Sequence, residues 1–340
     1  MKRRIVVHTE SPLKPIYSRV EIELIHYLSD EIIGIIDPVH SGRNVQDVLG
    51  FGGDIPIAAT LDEFLTSKPN FLLIGQSAYK GNFPMEWYPM VIKALQMRIN
   101  ILNALHQPLN TLAEFELLAT KYKAKIYDLR SSDADILKYR KMVENVQSKK
   151  ILVAAAGDNA QELTTVVELI RAIHKAGISA DWVPTSLSAR LIKGKGIIAE
   201  SMVANLISGY VETELVDLDQ KFEYVLIEGQ GHMNDPVRSG VFSSIFHGAN
   251  PDTVVACVLA PAKDSVEKIY EAVRAFQKTI NYFPSASMLA VSVNTGLLNP
   301  KEIDAILNKA SVSLGVPVFD PRSSVPDALI KAIKNISKIN

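Results

Sequence analysis

An α/β protein of two domains, each built on a mainly parallel sheet, is the fold this sequence predicts, and three observations predict it. The chain has 340 residues, more than one ordinary hydrophobic core accommodates, so two domains is the default division. Short apolar runs alternate along it with amphipathic stretches of about 11 to 16 residues, the order that builds parallel sheets covered by helices. The third observation is the stretch from Lys149 to Gly177: the apolar run Ile151–Ala156, a loop of small and polar residues, then a helical face of Val166, Val167, Leu169, Ile170 and Ile173. Strand, tight loop and helix in this order present the first backbone N–H groups of the helix to an anion.

The first domain opens on a strand at residues 4–9, an amphipathic helix over Ile16–Leu28 and a buried strand over Glu31–Asp37. This resembles a Rossmann-like opening, in which an acid after the second strand meets a ribose hydroxyl. The turn ESPLKP after the first strand has no glycine, so the dinucleotide fingerprint is absent and NAD is not expected. Asp37 then reads either as a ligand group or as a strand-end residue capping the next loop. Within Asp37–Asp54, His40, Ser41, Gly42 and Arg43 are candidates for an anion pocket at the carboxyl edge of the sheet; the alternative is a surface loop. Phe71–Gly75, Ile99–Leu105 and Lys125–Leu129 are further strands, with helices over Glu86–Arg98 and Thr111–Tyr122.

The polar segment Ser131–Lys150 is the expected boundary, dividing the chain into 1–145 and 146–340. In the second domain the loop after the first strand lacks the P-loop lysine. Setting the pattern G-x-x-x-x-G-K-[ST] with its hydroxyl residue on Thr164 keeps Gly157 but puts Glu162 and Leu163 at the second Gly and the Lys. A carboxylate in that position opposes a phosphate. Asp181–Thr185 is the next strand, and a helix is expected over Ala199–Gly209. The buried strand YVLI ends in Glu228 and a flexible G-x-G, where P-loop proteins carry an acid that handles magnesium or its water. His232, Asp235 and Arg238 follow in HMNDPVRSG, then His247. His232 and Asp235 form an H-x-x-D pair with no third ligand near them in sequence, so no metal site is expected. Val254–Ala260, Ser287–Asn294 and Val316–Phe319 are the remaining strands, and helices are expected over Lys301–Leu314 and Val325–Ile339.

Composition excludes several classes. With 36 basic and 37 acidic residues, a net charge of -1 and no long block of one sign, nothing favours nucleic acid or an anionic membrane surface. The single cysteine, Cys257, lies in the apolar run TVVACVLA, which excludes an intrachain disulfide and reads as a core thiol. The N-terminal apolar stretch is only Ile5–Val7, too short for a signal peptide, and no window reaches the roughly 18 apolar residues that span a bilayer. A cytoplasmic, soluble protein is expected, and the apolar helices Trp87–Met97 and Val325–Ile339 are candidates for a homo-oligomer surface.

The strings IIDPVHSGRNVQDVLGFGGDIPIAATLDEFL, VLIEGQG, RSGVFSSIFHGANPD and SVNTGLL together resemble the DUF1611 family, and the resemblance covers nearly the whole chain. It implies a Rossmann-like N-terminal domain and a P-loop NTPase-like C-terminal domain similar to the nitrogenase iron protein and dethiobiotin synthetase group. Some members are N-acetyltransferases of D-glutamate and related D-amino acids, which implies acetyl-CoA as donor. The family loop, close to G-T-D-C-x-V-G-K-x-T-T, aligns with Ala155–Thr165, so its second glycine and lysine fall on Gln161 and Glu162 while Thr164 and Thr165 keep their identity. After Glu228-Gly229-Gln230-Gly231 the family pattern Ser-Leu-x-His-Pro is replaced by His232-Met233-Asn234-Asp235-Pro236.

Two readings of function follow. The first is an enzyme of acyl transfer to a small amino acid, with the donor held by Gly157, Asp158, Asn159, Ala160, Gln161, Thr164 and Thr165. Glu228, or His232 paired with Asp235, would be its base, and Asp37, His40, Gly42, Arg238 and His247 would bind substrate. The second is a silent or regulatory protein whose cradle no longer grips ATP and magnesium because Glu162 stands at the lysine's place.

Overall fold

The computed structural model describes residues 2–14, 18–75, 83–131, 138–282 and 286–336. The chain divides into two compact units: Met1–Ser132 with Leu187–Ser201, and Asp133–Ser186 with Met202–Asn340.

The first unit takes, in order, β1 (Ile5–His8), α1 (Arg19–Leu28), β2 (Ile32–Ile36), α2 (Val45–Leu49), β3 (Ile57–Ala58), β4 (Phe71–Ile74), α3 (Tyr88–Gln96), β5 (Asn100–Asn103), α4 (Ala113–Tyr122) and β6 (Ile126–Asp128). Its six strands lie in the order β3-β2-β1-β4-β5-β6, and every pair is parallel. This is the doubly wound order in which the chain reverses beside β1, leaving a crevice at the carboxyl ends of the strands. Ile5, Val6 and Val7 are at most 2% exposed; a strand covered on both faces needs such an unbroken apolar run. The expected start of the first helix at Ile16 lies outside the described residues. The apolar side of α3, with Val91, Ala94 and Leu95 fully buried, is spent on the unit's own core rather than displayed.

In the second unit come β7 (Lys149–Ala155), α5 (Glu162–Lys175) and β8 (Ala180–Val183). The next helix, α6 (Leu187–Lys193), counts with the first unit, where Leu187, Leu191 and Ile198 join the core cluster of Ile5, Val7, Leu24 and Leu28. A single boundary near residue 145 does not describe this crossing of the chain. The second unit then continues with α7 (Ala204–Leu218), β9 (Tyr224–Glu228), α8 (Ser239–Ala249), β10 (Thr253–Leu259), α9 (Ser265–Ile280), β11 (Ser287–Asn294), α10 (Ile303–Leu314), β12 (Val318–Phe319) and α11 (Asp327–Lys334). Its strand order is β12-β11-β10-β7-β9-β8, again all parallel.

Two differences from the sequence expectation stand out. The helix expected to stop at Gly209 runs on to Leu218, because Val211, Leu215 and Leu218 continue a buried stripe that outweighs the roughly 1 kcal/mol cost of an interior glycine. Helices α8 and α9 went unnamed in the sequence reading; α8 is apolar around much of its surface, which hides its period. In the last helix, α11 buries Leu329 and Ile333, and the expected end at Ile339 lies outside the described residues. Among the described residues no helix is long and apolar enough to cross a membrane.

Candidate functional site

The central strand β7 delivers the loop Ala156–Gln161 to the carboxyl edge of the second sheet, and α5 begins immediately after it. Asn159 and Gln161 both adopt left-handed backbone, at φ 55° and 64°. Such angles cost a residue with a Cβ roughly 1–2 kcal/mol, and neighbouring structure holds them. The Ala156 N–H donates to the Cys257 carbonyl at 2.8 Å, and Asn294 Nδ2, at the end of β11, donates to the Asn159 carbonyl at 3.0 Å. The loop therefore keeps the sharp entry into a helix that a phosphate cradle uses, with a glutamine in its left-handed position.

Thr165 links the end of that loop to the sheet. Its hydroxyl donates to the Gln161 carbonyl at 3.0 Å and lies 2.7 Å from Ser292 Oγ of β11. Cys257 Sγ of β10 is 3.5 Å away, and Thr165 is wholly buried. Thr164 is 3% exposed. Glu162 opens α5 and is 9% exposed; an acid in the first turn is favoured by the helix dipole. Burial first, and then the nearby Glu162 carboxylate, push the Cys257 thiol well above its ordinary range, so it is a core thiol without nucleophilic character.

Strand β9 lies directly beside β7, with Glu228 in register with Val153. A Cβ on Gly229 would sit 2.6 Å from the Val153 carbonyl oxygen, so only glycine lets the chain leave the sheet this close to β7. Glu228 is 2% exposed, and its carboxylate accepts from the Thr185 N–H at 2.7 Å, the Ser186 N–H at 3.0 Å and Ser186 Oγ at 2.6 Å. Three donors converging on one carboxylate fix its position. Here it ties the turn after β8 to the end of β9.

The turn after β9 brings His232 to the β7 loop: its Nε2 is 3.2 Å from Asp158 Oδ1, a contact across 74 residues of sequence. The His232 side chain is 15% exposed and that of Asp158 76%. Asp235 is 6% exposed; it accepts from the Val237 N–H at 2.9 Å, the Arg238 N–H at 3.1 Å and Arg238 Nε at 2.8 Å. Burial works to raise the Asp235 pKa, but these hydrogen bonds and the Arg238 charge outweigh it and hold the carboxyl below the usual range. Asp235, expected to pair with His232, pairs with Arg238 instead. One ligand atom from each of Asp158, His232 and Asp235 nevertheless falls within 4.8 Å of the others.

The remaining expected site residues are placed elsewhere. His247 is exposed on the last turn of α8, at the far end of the helix from Arg238, so the structure does not bring it to the His232 cluster. Gly157 has open space around it, and Ala160 is 1% exposed. In the first unit Asp37 is 1% exposed and accepts from the Leu13 N–H at 2.8 Å and the Val39 N–H at 3.0 Å, with His40 Nδ1 at 2.7 Å. It caps the turns after β1 and β2, while Gly42, at φ 83°, donates to the Ile57 carbonyl. Sequence reading missed Thr185 and Ser186 as partners of Glu228, and in the first unit His8 and Glu21. Burial lowers the pKa of His8 to about 4 and raises that of Glu21 to about 7. A half-buried histidine at a strand end and an acid on the inner face of a helix were the signals available for the last two.

With this geometry in view, comparison with known proteins is specific. A family model described as the DUF1611 C-terminal P-loop domain matches residues 137–330, and one described as the DUF1611 N-terminal Rossmann-like domain matches residues 38–132. A "D-glutamate N-acetyltransferase" of Pseudoalteromonas sp is 25% identical over 268 residues, covering 76% of this chain and 79% of the relative. A protein of the same name from Tritonibacter scottomollicae is 24% identical over 319 residues, covering 88% and 92%. The crystal structure of a DUF1611 family protein from Anabaena variabilis superposes with a TM-score of 0.85 at 18% identity, over 98% of this chain and 99% of that one.

Proposed function

Because the chain belongs to the DUF1611 family, with both its Rossmann-like and its P-loop domain, we propose that it is an N-acyltransferase that moves an acetyl group from acetyl-CoA to the amine of a small amino acid of the D-glutamate type. The names of its distant relatives support this class of reaction. The observation that carries it to residues is the Asp158–His232 pair at the carboxyl edge of the second sheet. A carboxylate that orients one ring nitrogen of an imidazole leaves the other to take a proton. In the transfer, the amine nitrogen attacks the thioester carbonyl carbon, the C–N bond forms and the C–S bond breaks. The amine proton passes to His232 and from there to the departing thiolate. Glu228, its carboxylate engaged by Thr185 and Ser186, positions the turn beside this pair. The N-terminal end of α5 is the element available to the donor's phosphates, and ATP with magnesium has no part in this reading.

A second reading is favoured by Glu162, buried at the start of α5 where a phosphate would be opposed: a silent or regulatory protein that binds a small ligand without chemistry. One experiment separates the two. The protein is incubated with acetyl-CoA and a panel of D- and L-amino acids while thiol release and product mass are followed, and acetyl-CoA binding is read in parallel as a thermal shift. The enzyme reading expects N-acetyl-D-glutamate or a close analogue, with kcat/KM lowered by about 10²-fold or more in His232→Ala. A thermal shift without transfer selects the second reading, and neither signal removes both.

A further inference from the structure

The sequence offered His232 and Asp235 as a pair without a third partner, and the fold supplies one from the preceding loop. We infer that Asp158, His232 and Asp235 form a binding site for one divalent transition-metal cation, with zinc or manganese as the fitting chemistry. Their ligand atoms lie within 4.8 Å of one another. His232 Nε2 and Asp158 Oδ1 are 3.2 Å apart. Metal bonds of about 2.0–2.2 Å bring neighbouring ligand atoms to roughly this separation, so only the third ligand has to draw in.

The donor set decides the class of cation. Asp158 and Asp235 offer carboxylate oxygens, Arg238 already offsetting the charge of Asp235, and one imidazole adds a nitrogen donor that zinc and manganese accept, whereas calcium and magnesium favour oxygen throughout. The site also has a supporting shell. The Asp235 carboxylate is buried and fixed by two backbone N–H groups and Arg238 Nε, and its oxygens retain lone pairs for a cation, so it is presented preorganised. Asp158, three-quarters exposed, gives the cation a way in from solvent and leaves positions open for water or a further ligand.

Two consequences follow for the edge. A cation here restores the positive charge that Glu162 withholds from the start of α5. A ring that ligates through Nε2 carries its hydrogen on Nδ1 and no longer accepts the amine's proton, so the loaded form is inactive in the proposed transfer. The site itself does not depend on that transfer, and its test reads binding directly.

The full chain, without an affinity tag and stripped with chelator, is titrated by calorimetry with zinc chloride, manganese chloride and magnesium chloride separately. One equivalent of zinc or manganese is expected to bind more tightly than magnesium. Asp158→Asn and His232→Ala should each weaken that binding by about tenfold or more, while His247→Ala, at the far end of α8, leaves it unchanged. Nitrogen hyperfine coupling on bound manganese, expected in the wild type, reads the histidine directly even should His232→Ala fail to fold. Absence of one-to-one binding by either transition cation, or unaltered affinity in a folded Asp158→Asn or His232→Ala variant, overturns the site.

Discussion

His8 and Glu21 of the first unit are single residues with opposite dependence on pH. His8 packs edge-on against Trp87 at 4.6 Å between ring centroids, and burial lowers its pKa from 6.5 to about 4. The folded state then binds fewer protons than the unfolded one between those values, so stability present above pH 6.5 is lost as the pH falls towards 4. For Glu21 burial raises the pKa from 4.5 to about 7. The stability it allows is present below pH 4.5 and is lost as the pH rises through 7. Each effect is of order 3 kcal/mol at its limit, and between pH 4.5 and 6.5 they oppose one another. Wild-type stability of this unit should therefore be nearly flat across that window. Glu21→Gln is expected to leave a stability that rises with pH, and His8→Asn one that falls. Urea unfolding followed by Trp87 fluorescence in a Trp182→Phe background measures both, and equal slopes in the two variants would refute the assignment.

At the scale of elements, the loop between β7 and α5 enters its helix sharply, as a phosphate cradle does, but places Gln161 and Glu162 at that entry. Gln161 occupies left-handed space at φ 64°, a conformation that glycine adopts without the Cβ penalty. Gln161→Gly should raise stability by about 0.5–1 kcal/mol in chemical unfolding, after glycine's own entropic cost is counted. Adding Glu162→Lys should bring measurable ATP affinity, with weak binding expected in the wild type, because a charged partner for a phosphate is gained and a like charge removed. Calorimetry on the double variant checks this. A destabilising Gln161→Gly would mean that the glutamine side chain outweighs the backbone strain it creates. The pattern of this loop was legible in the sequence: the strand, the helix face and the missing lysine are all local features. The direction of Thr165 was not, since its partners Ser292 and Cys257 arrive from β11 and β10.

For the whole molecule, the passage of Leu187–Ser201 into the first unit matters most. Leu187, Leu191 and Ile198 are at most 4% exposed and share a cluster with Ile5, Val7, Leu24 and Leu28, while Arg3 Nη1 donates to the Leu191 carbonyl at 2.9 Å. A fragment of residues 1–145 lacks this cover, and each large apolar side chain left unburied forgoes roughly 1.5–3 kcal/mol. That fragment is expected to bind a hydrophobic dye and to lose cooperative unfolding, and Leu191→Ala in the full chain to cost about 2–5 kcal/mol. A fragment that unfolds cooperatively and stays dark with the dye would show that α6 is dispensable.

By itself the sequence determined two parallel α/β units, the family pattern and the position of the altered loop. These rest on apolar runs, helical periods and strings of adjacent residues, all of which act over short stretches of chain. Tertiary structure alone decided which polar groups meet. Glu228 is held by Thr185 and Ser186, 43 and 42 residues away, and His232 finds Asp158 rather than Asp235. The reason is that the order β10-β7-β9-β8 sets which strand ends are neighbours, and strand order depends on how helices pack across the sheet, a property of the assembled core that no spacing along the chain records.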